Sequence, residues 1–274
     1  MRALLAVRVL LAVAAVVVLG IRCSDDSGPT SPGNISGNSD NRSFVAEAAF
    51  SSEVIVTNQS QLTLRGINGS VVISGRSNSS SVLVSTVRRV RSESTSDAQA
   101  NLERLEVRVT DLGTEVVVET IQPQNSGGRS FEVGYTITLP RTLEVSVTNV
   151  NGAVTIENID APVAVASTNG EVDLRSVSGG ATAETVNGQI EASATLPRAG
   201  RVELGVVNGS VELEIPRNTS ATFSARTNNG TITLSNLVLG SETRTPTSCQ
   251  GTLGGGEGTI ILTTVNGSIR ASGF

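Results

Sequence analysis

The segment Thr185-Val186-Asn187-Gly188-Gln189-Ile190 contains the pattern that decides the fold of this 274-residue chain. Its central dipeptide, Asn-Gly, occurs seven times, and the middle five copies are 18, 18, 21 and 21 residues apart. A period of about 20 residues is typical of stacked supersecondary units, which bury their apolar faces only against one another. The seven pairs are Asn68-Gly69, Asn151-Gly152, Asn169-Gly170, Asn187-Gly188, Asn208-Gly209, Asn229-Gly230 and Asn266-Gly267.

Apolar residues alternate with polar ones on both sides of each Asn-Gly pair. The second and fourth residues after every glycine are apolar, as Ile190 and Ala192 are after Gly188. In the six later copies the fifth and seventh residues before glycine are apolar as well, as Ala183 and Ala181 are. Because side chains alternate between the two faces of a strand, each copy predicts two half-buried strands that meet at a bend.

Two folds fit this alternation. Asn-Gly is the preferred type I′ hairpin turn, so the chain could form an antiparallel β-meander with Asn-Gly hairpins. Alternatively, each copy is one coil of a parallel β-helix-like solenoid, and the asparagines stack in a column. All seven copies use Asn rather than Asp. Since an amide both donates and accepts hydrogen bonds, whereas stacked carboxylates repel, we favour an all-β solenoid with two main strands per coil.

The regularity of the sequence divides residues 44–274 into two regions. Residues 44–140 predict an irregular β-rich cap that includes a short helix over residues 96–104 with Ser96 as its N-cap. Residues 141–274 contain the regular repeats, interrupted by a Gly-rich insertion at about 235–258. We expect a surface loop there, although the interval between Asn229 and Asn266 also fits a coil without the signature.

The N-terminus predicts export. Arg2 and Arg8 accompany an apolar run, Val9 to Ile21, which is short for a membrane span and typical of a signal peptide over residues 1–22. Cys23 and the Ser/Gly/Asn/Pro-rich tether over residues 23–43 resemble a bacterial lipoprotein with a lipidated cysteine. In bacterial lipoproteins a small residue directly precedes the lipidated cysteine, whereas this chain has Arg22 at that position. Lipidation at Cys23, ordinary cleavage and an uncleaved membrane anchor therefore all stay open, and each predicts a cell-envelope protein.

The second cysteine, Cys249, lies in the Gly-rich insertion, and we expect a lone thiol in a loop. If no lipid occupies Cys23, a disulfide between Cys23 and Cys249 becomes the better expectation in an exported protein.

The composition argues against several functions. The chain has no histidine, so it lacks the residue that serves the Ser-His-Asp hydrolases and most zinc sites. It has no tryptophan, one tyrosine and five phenylalanines, too few for platforms that stack nucleobases. After removal of residues 1–22, 17 Arg face 25 acidic residues, a net charge of −8. We therefore predict no enzyme activity, no cofactor and no nucleic-acid partner.

One row of acidic residues is a candidate site. The third residue after glycine points outward by parity, and in three consecutive copies it is Asp173, Glu191 and Glu212. A parallel stack places such residues about 4.8 Å apart. The row could bind a divalent cation or a basic partner, but no calcium-binding motif accompanies it. We favour a solvated acidic face and predict no metal site.

The repeats resemble a known family. Phrases such as Thr185-Val186-Asn187-Gly188 and Thr264-Val265-Asn266-Gly267, the early segment Arg65–Gly69 and the segment Tyr135–Pro140 are similar to the bacterial putative-adhesin β-strand-repeat family of unknown function. The resemblance covers residues 44–274. It implies an exported β-helix-like domain, often carried by lipoproteins or membrane-anchored envelope proteins, and it brings no catalytic residues.

These observations together predict a non-enzymatic envelope scaffold. Its polar β-solenoid surface would bind an envelope protein or a polysaccharide, as an adhesin does, and its N-terminal signal or lipid anchor would contact the membrane. Two alternatives stay open: a sensing module in envelope-stress signalling, and a polysaccharide-acting enzyme that uses carboxylates alone.

Overall fold

The computed structural model describes residues 43–274, which form two large β-sheets and one short helix. The predicted signal peptide, most of the tether and Cys23 lie outside the described residues. Sheet A has ten strands and sheet B has eleven, and the strands of the repeats pair in parallel. The predicted all-β solenoid is confirmed, and the antiparallel meander is wrong for the repeats. No helix within residues 43–274 is long and apolar enough to cross a membrane.

The N-terminal region contains seven strands and the helix. They are β1 (Phe44–Ile55), β2 (Gln61–Arg65), β3 (Val71–Arg76), β4 (Ser81–Ser92), α1 (Thr95–Leu102), β5 (Glu106–Asp111), β6 (Glu115–Ile121) and β7 (Ser130–Pro140).

Fourteen further strands follow. They are β8 (Glu144–Asn151), β9 (Val154–Ile159), β10 (Val163–Asn169), β11 (Val172–Val177), β12 (Ala181–Asn187), β13 (Ile190–Ala194), β14 (Arg201–Asn208), β15 (Val211–Ile215), β16 (Ala221–Asn229), β17 (Ile232–Ser235), β18 (Gly240–Thr245), β19 (Ser248–Leu253), β20 (Gly258–Asn266) and β21 (Ile269–Gly273).

Each of the seven coils with an Asn-Gly pair has one strand in each sheet, and the pair lies at the bend between the two strands. In the coil of Asn187, β12 lies in sheet B and β13 in sheet A. The register keeps equivalent residues side by side, so Asn187 pairs with Asn169 on one side and Asn208 on the other. The apolar residues point inward, and Ala183, Ile190 and Val211 are fully buried between the sheets. Each fully buried Val, Leu or Ile contributes about 1.5–3 kcal/mol of transfer free energy, which fixes the side that faces inward.

The spatial order of the coils departs from their order in the chain. In sheet B, β20 lies between β14 and β16, and in sheet A, β21 lies between β15 and β17. The coil of Asn266 therefore separates the coils of Asn208 and Asn229. At the other end, the coil of Asn68 packs beside that of Asn151, and the β6–β7 pair forms one coil beyond it.

Antiparallel strands and the helix cover the N-terminal end. Strands β4 and β1 extend sheet A beyond β7, and β5 extends sheet B beyond β6. Helix α1 begins after Ser94, whose Oγ accepts a hydrogen bond from the amide of Asp97 at 3.2 Å. The predicted N-cap, Ser96, is therefore wrong by two residues. Ala98 is fully buried, so the helix closes part of the core.

The Gly-rich insertion is a β-hairpin, so the predicted surface loop is wrong. Strands β18 and β19 pair antiparallel, and β19 also pairs antiparallel with β16, the last parallel strand of sheet B. The hairpin occupies backbone groups that β16 would otherwise expose at an open sheet edge. Cys249 lies in β19 with its side chain fully buried, not in a loop.

Candidate binding surfaces and the asparagine ladder

The seven asparagines of the Asn-Gly pairs form one continuous hydrogen-bonded ladder along the bend. Beyond Asn68, each side-chain nitrogen donates to the side-chain oxygen of the asparagine in the adjacent coil on the side towards Asn68. The Nδ2–Oδ1 distances are 2.6 Å for Asn151 to Asn68, 2.8 Å for Asn169 to Asn151, 2.8 Å for Asn187 to Asn169, 2.9 Å for Asn208 to Asn187, 2.8 Å for Asn266 to Asn208 and 2.8 Å for Asn229 to Asn266. Asn68 ends the ladder by donating to the carbonyl of Phe131 at 3.2 Å. An ionised aspartate at any rung would lack the donor.

A second column of hydrogen bonds lies just inside the ladder. The Thr185, Thr264 and Thr227 hydroxyls donate to glycine carbonyls of the neighbouring coil, at 3.4, 2.9 and 2.9 Å. Asn149 donates to Gly69 O in the same way at 3.1 Å. This column was not predicted from the sequence. The pattern that could have indicated it is the threonine two residues before the asparagine in these three copies.

The glycines of the pairs have no room for a side chain. A Cβ added at Gly188 would lie 2.1 Å from the carbonyl oxygen of Gly170, and the backbone φ of Gly188 is +147°. Contact between backbones of neighbouring coils therefore selects glycine at this position.

The structure brings the predicted acidic row together. Asp173, Glu191 and Glu212 occupy one register row on the neighbouring strands β11, β13 and β15. They line a shallow groove of about 400 Å³ together with Arg175, Ser193 and Glu214. Burial, followed by the charges of Glu171, Glu212 and Asp173, raises the pKa of Glu191. The repulsion within the row is therefore only partly relieved.

Arginines border the row at both ends. Arg175 forms an ion pair with Asp173, and Arg270 on the next strand lies 3.8 Å from Glu212, measured from Nε to Oε1. Within residues 43–274, no group of three His, Cys, Asp or Glu side chains is placed to hold a metal ion. These guanidinium groups neutralise part of this face.

A second groove, of about 410 Å³, lies on sheet A near its N-terminal end. Its outward residues include Ala49, Val72, Val87 and Gly134, and the lining is mostly apolar. Sequence reasoning did not find it, because β1, β4 and β7 come together only through antiparallel pairing outside the repeats.

The family model described as Toastrack DUF4097 matches residues 14–271 of this sequence. The chain belongs to the Toastrack DUF4097 family. The resemblance drawn from the Thr-Val-Asn-Gly phrases is thereby confirmed. No curated protein matches the sequence.

Solved structures with distant similarity to this Toastrack chain include two bacterial proteins. One is described as a putative cell adhesion protein from Clostridium sporogenes, with 11% identity, a TM-score of 0.44 and coverage of 82% of this chain and 100% of its own. The other is described as a putative adhesin from Bacteroides fragilis, with 11% identity, a TM-score of 0.29 and coverage of 81% and 96%, respectively.

Proposed function

We propose that this Toastrack domain is a non-enzymatic scaffold of the bacterial cell envelope, whose outer sheet faces bind a partner as an adhesin does. The observation that carries the proposal is the acidic row of Asp173, Glu191 and Glu212, which has no role in the core. Its like charges lie side by side at a cost that a basic partner would relieve.

A basic protein surface suits this face better than a neutral polysaccharide does. Sugar rings bind well to exposed aromatic faces, but Phe131, Tyr135 and Phe223 are all at most 3% exposed, with their side chains in the core. Phe50 is half-buried and lines the other groove, away from the acidic row. Phe44 and Phe274 are exposed, yet they lie near the two ends of the described chain. A protein that presents Arg or Lys to the row is therefore the partner class that we place first.

The N-terminal pattern of Arg2, Arg8, the apolar run and Cys23 supports the proposed location in the envelope. Mass spectrometry of the mature N-terminus tests it directly. A diacylglyceryl group on Cys23 would establish a lipoprotein, and cleavage elsewhere would leave an exported domain without that anchor. An intact, cytoplasmic N-terminus would refute export.

The binding proposal is tested by capture from an envelope extract. We compare the wild type with the triple variant Asp173→Asn, Glu191→Gln, Glu212→Gln. The charge-matched control is Glu144→Gln, Glu184→Gln, Glu203→Gln on sheet B, which removes three charges from the other face.

We expect the wild type and the control to capture the same protein, with binding that weakens as salt screens the charges. The acidic-row variant should lose that protein. Equal capture by all three proteins would refute the role of the row, and capture of only a polysaccharide fraction would refute the preferred partner class.

A further inference from the structure

The seven Asn-Gly pairs differ in how firmly the glycine amide is held. Asn-Gly is a chemically labile dipeptide, because the unhindered glycine nitrogen can attack the asparagine side-chain carbonyl carbon. In six pairs the glycine N–H donates instead to an asparagine backbone carbonyl in the adjacent coil. The donors are Gly69, Gly152, Gly170, Gly188, Gly209 and Gly267, and the N–O distances lie between 2.8 and 3.1 Å.

The seventh pair, Asn229-Gly230, lies in the end coil of the solenoid, where no further coil supplies an acceptor. Within residues 43–274, the amide of Gly230 donates no hydrogen bond. Gly230 is exposed, whereas the other six glycines are half-buried. The Asn229 side chain is held on one side only, through its Nδ2 bond to Asn266 at 2.8 Å, and its Oδ1 accepts no hydrogen bond from the described residues.

The opposite end of the ladder is different. Asn68 donates to the carbonyl of Phe131 and accepts from Asn151, and the amide of Gly69 is bonded to Asn151 O. The β6–β7 coil and the antiparallel strands beyond it cover this end. Only the Asn229 end of the ladder therefore combines a free glycine amide with a carboxamide restrained on one side.

We propose that Asn229 is a site of spontaneous deamidation in the folded protein, with water as the co-reactant. The Gly230 nitrogen forms a bond to Cγ of Asn229, and the side-chain nitrogen leaves as ammonia with the Gly230 proton. Water then opens the resulting succinimide at one of its two carbonyls. The products are aspartate, or isoaspartate in which the main chain runs through the side chain.

The modification removes the last rung of the ladder. An ionised carboxylate at position 229 cannot donate to Asn266 Oδ1, so the ladder bond between the end coil and its neighbour is lost. We expect the change to loosen β16 and β17 while the interior coils keep their ladder bonds.

Peptide mapping of the full chain tests the proposal. The protein is incubated at mildly alkaline pH both folded and unfolded in urea, then digested, and the conversion of amide to acid is measured at all seven pairs. In the folded protein, Asn229 should convert more than about tenfold faster than the six hydrogen-bonded pairs, because those react only after local opening. In urea, all seven should convert at similar rates. Conversion of Asn229 no faster than that of Asn266 in the folded protein would overturn the proposal.

The variant Asn208→Ala tests the assigned cause. It removes the side chain that donates to Asn187 Oδ1, so Asn187 is held only through Asn169, but it keeps the backbone carbonyl that accepts from Gly188 N at 3.1 Å. Asn187 should stay unreactive in this variant, since its glycine amide is still held. Conversion of Asn187 at the rate of Asn229 would show that the glycine hydrogen bond does not protect the pair.

Discussion

At the residue scale, the ladder explains why each bend has asparagine. A side-chain amide donates to one neighbour and accepts from the other, so a single residue type satisfies every interior rung. Asn187 does both, at 2.8 Å to Asn169 and 2.9 Å from Asn208. The ladder lies on the exposed surface, so water softens the loss of any one bond.

Replacing Asn187 with aspartate should destabilise the domain by about 1 kcal/mol at neutral pH, the net value of an ordinary hydrogen bond. The aspartate cannot donate to Asn169, and the two oxygens would repel. Below the aspartate pKa, the protonated carboxyl can donate, so the loss should shrink. Denaturant midpoints at neutral and acidic pH measure it. Asn78→Asp, in a turn where Asn78 makes no side-chain hydrogen bond to the described residues, is the control. Equal effects of the two variants would contradict the ladder's contribution.

Replacing Glu191 with glutamine should stabilise the domain at neutral pH. The pKa of Glu191 is raised, chiefly by burial and then by Glu171, Glu212 and Asp173, so the folded state disfavours its ionised form. The gain should vanish below the ordinary glutamate pKa, where Glu191 is protonated in both folded and unfolded states.

Thermal melts as a function of pH measure the Glu191→Gln effect. Glu184→Gln is the control, because Glu184 lies between the uncharged Ala166 and Gly205 in its row. A stabilisation of equal size in the control, or one that persists at low pH, would contradict the repulsion within the acidic row.

At the scale of the element, the strands bury apolar side chains and also contribute hydroxyls to the second column of hydrogen bonds, just inside the ladder. Thr185 in β12 and Thr264 in β20 donate to glycine carbonyls of neighbouring coils, but the equivalent residue of β14 is Val206. One position in the interior of the column therefore lacks its hydroxyl.

Val206→Thr should change the free energy of unfolding by less than about 1 kcal/mol, because the new hydroxyl can donate to Gly188 O as its neighbours do. On the same strand, Val202→Thr would place a hydroxyl in the fully apolar core and should cost about 1–3 kcal/mol. Urea denaturation compares the two variants. A greater loss of unfolding free energy in Val206→Thr than in Val202→Thr would show that Gly188 O does not accept a hydrogen bond from the new hydroxyl.

Helix α1 depends on one carboxylate in its first turn. Asp97 accepts hydrogen bonds from Arg129 at 2.6 and 2.7 Å and from Ser92, and these interactions, led by that of Arg129, lower its pKa to about 2. Because the folded state favours the ionised form of Asp97, the carboxylate stabilises the fold at pH values above its ordinary pKa of 3.8. This contribution is lost as the pH falls towards 2. Asp97→Asn should therefore melt at a lower temperature than the wild type at neutral pH, and the two curves should converge near pH 2. A difference that is constant with pH would contradict the ion pair.

At the scale of the whole molecule, both ends of the solenoid need covering because a parallel stack leaves unpaired backbone groups at its last strands. The N-terminal end has β1, β4, β5 and α1. At the other end, the β18–β19 hairpin extends sheet B, and Arg244 of that hairpin donates to the carbonyl of Ile232 in β17 at 2.7 Å. Charged side chains on an edge strand also oppose pairing with another copy.

Replacing residues 236–257 with a short Gly/Ser linker should cause self-association, since the edge of β16 would be open for pairing with other molecules. Size-exclusion chromatography with light scattering measures the oligomeric state. The control exchanges only the hairpin tip, Pro246 and Thr247, for Asn-Gly, which preserves the hairpin. A monomeric linker variant would show that the hairpin is dispensable as a cover.

The sequence by itself determined the repeat unit of this protein. The seven Asn-Gly pairs and the alternation around Ile190 and Ala183 predict two half-buried strands per coil, because a side-chain period of two and a ladder of amides are local properties. The acidic row of Asp173, Glu191 and Glu212 follows from the same parity, since consecutive coils with equal spacing place equivalent residues side by side.

Only the tertiary structure decided the order of the coils and the covering of the ends. The coil of Asn266 pairs between those of Asn208 and Asn229, although all three carry the same signature. Nothing local distinguishes these neighbours, because every coil presents the same ladder groups to the next. The hairpin over residues 240–253 pairs with the outer edge of β16, which exists only once the coils are stacked. For the same reason, the free amide of Gly230 could not be inferred from an Asn-Gly pair that reads like the other six.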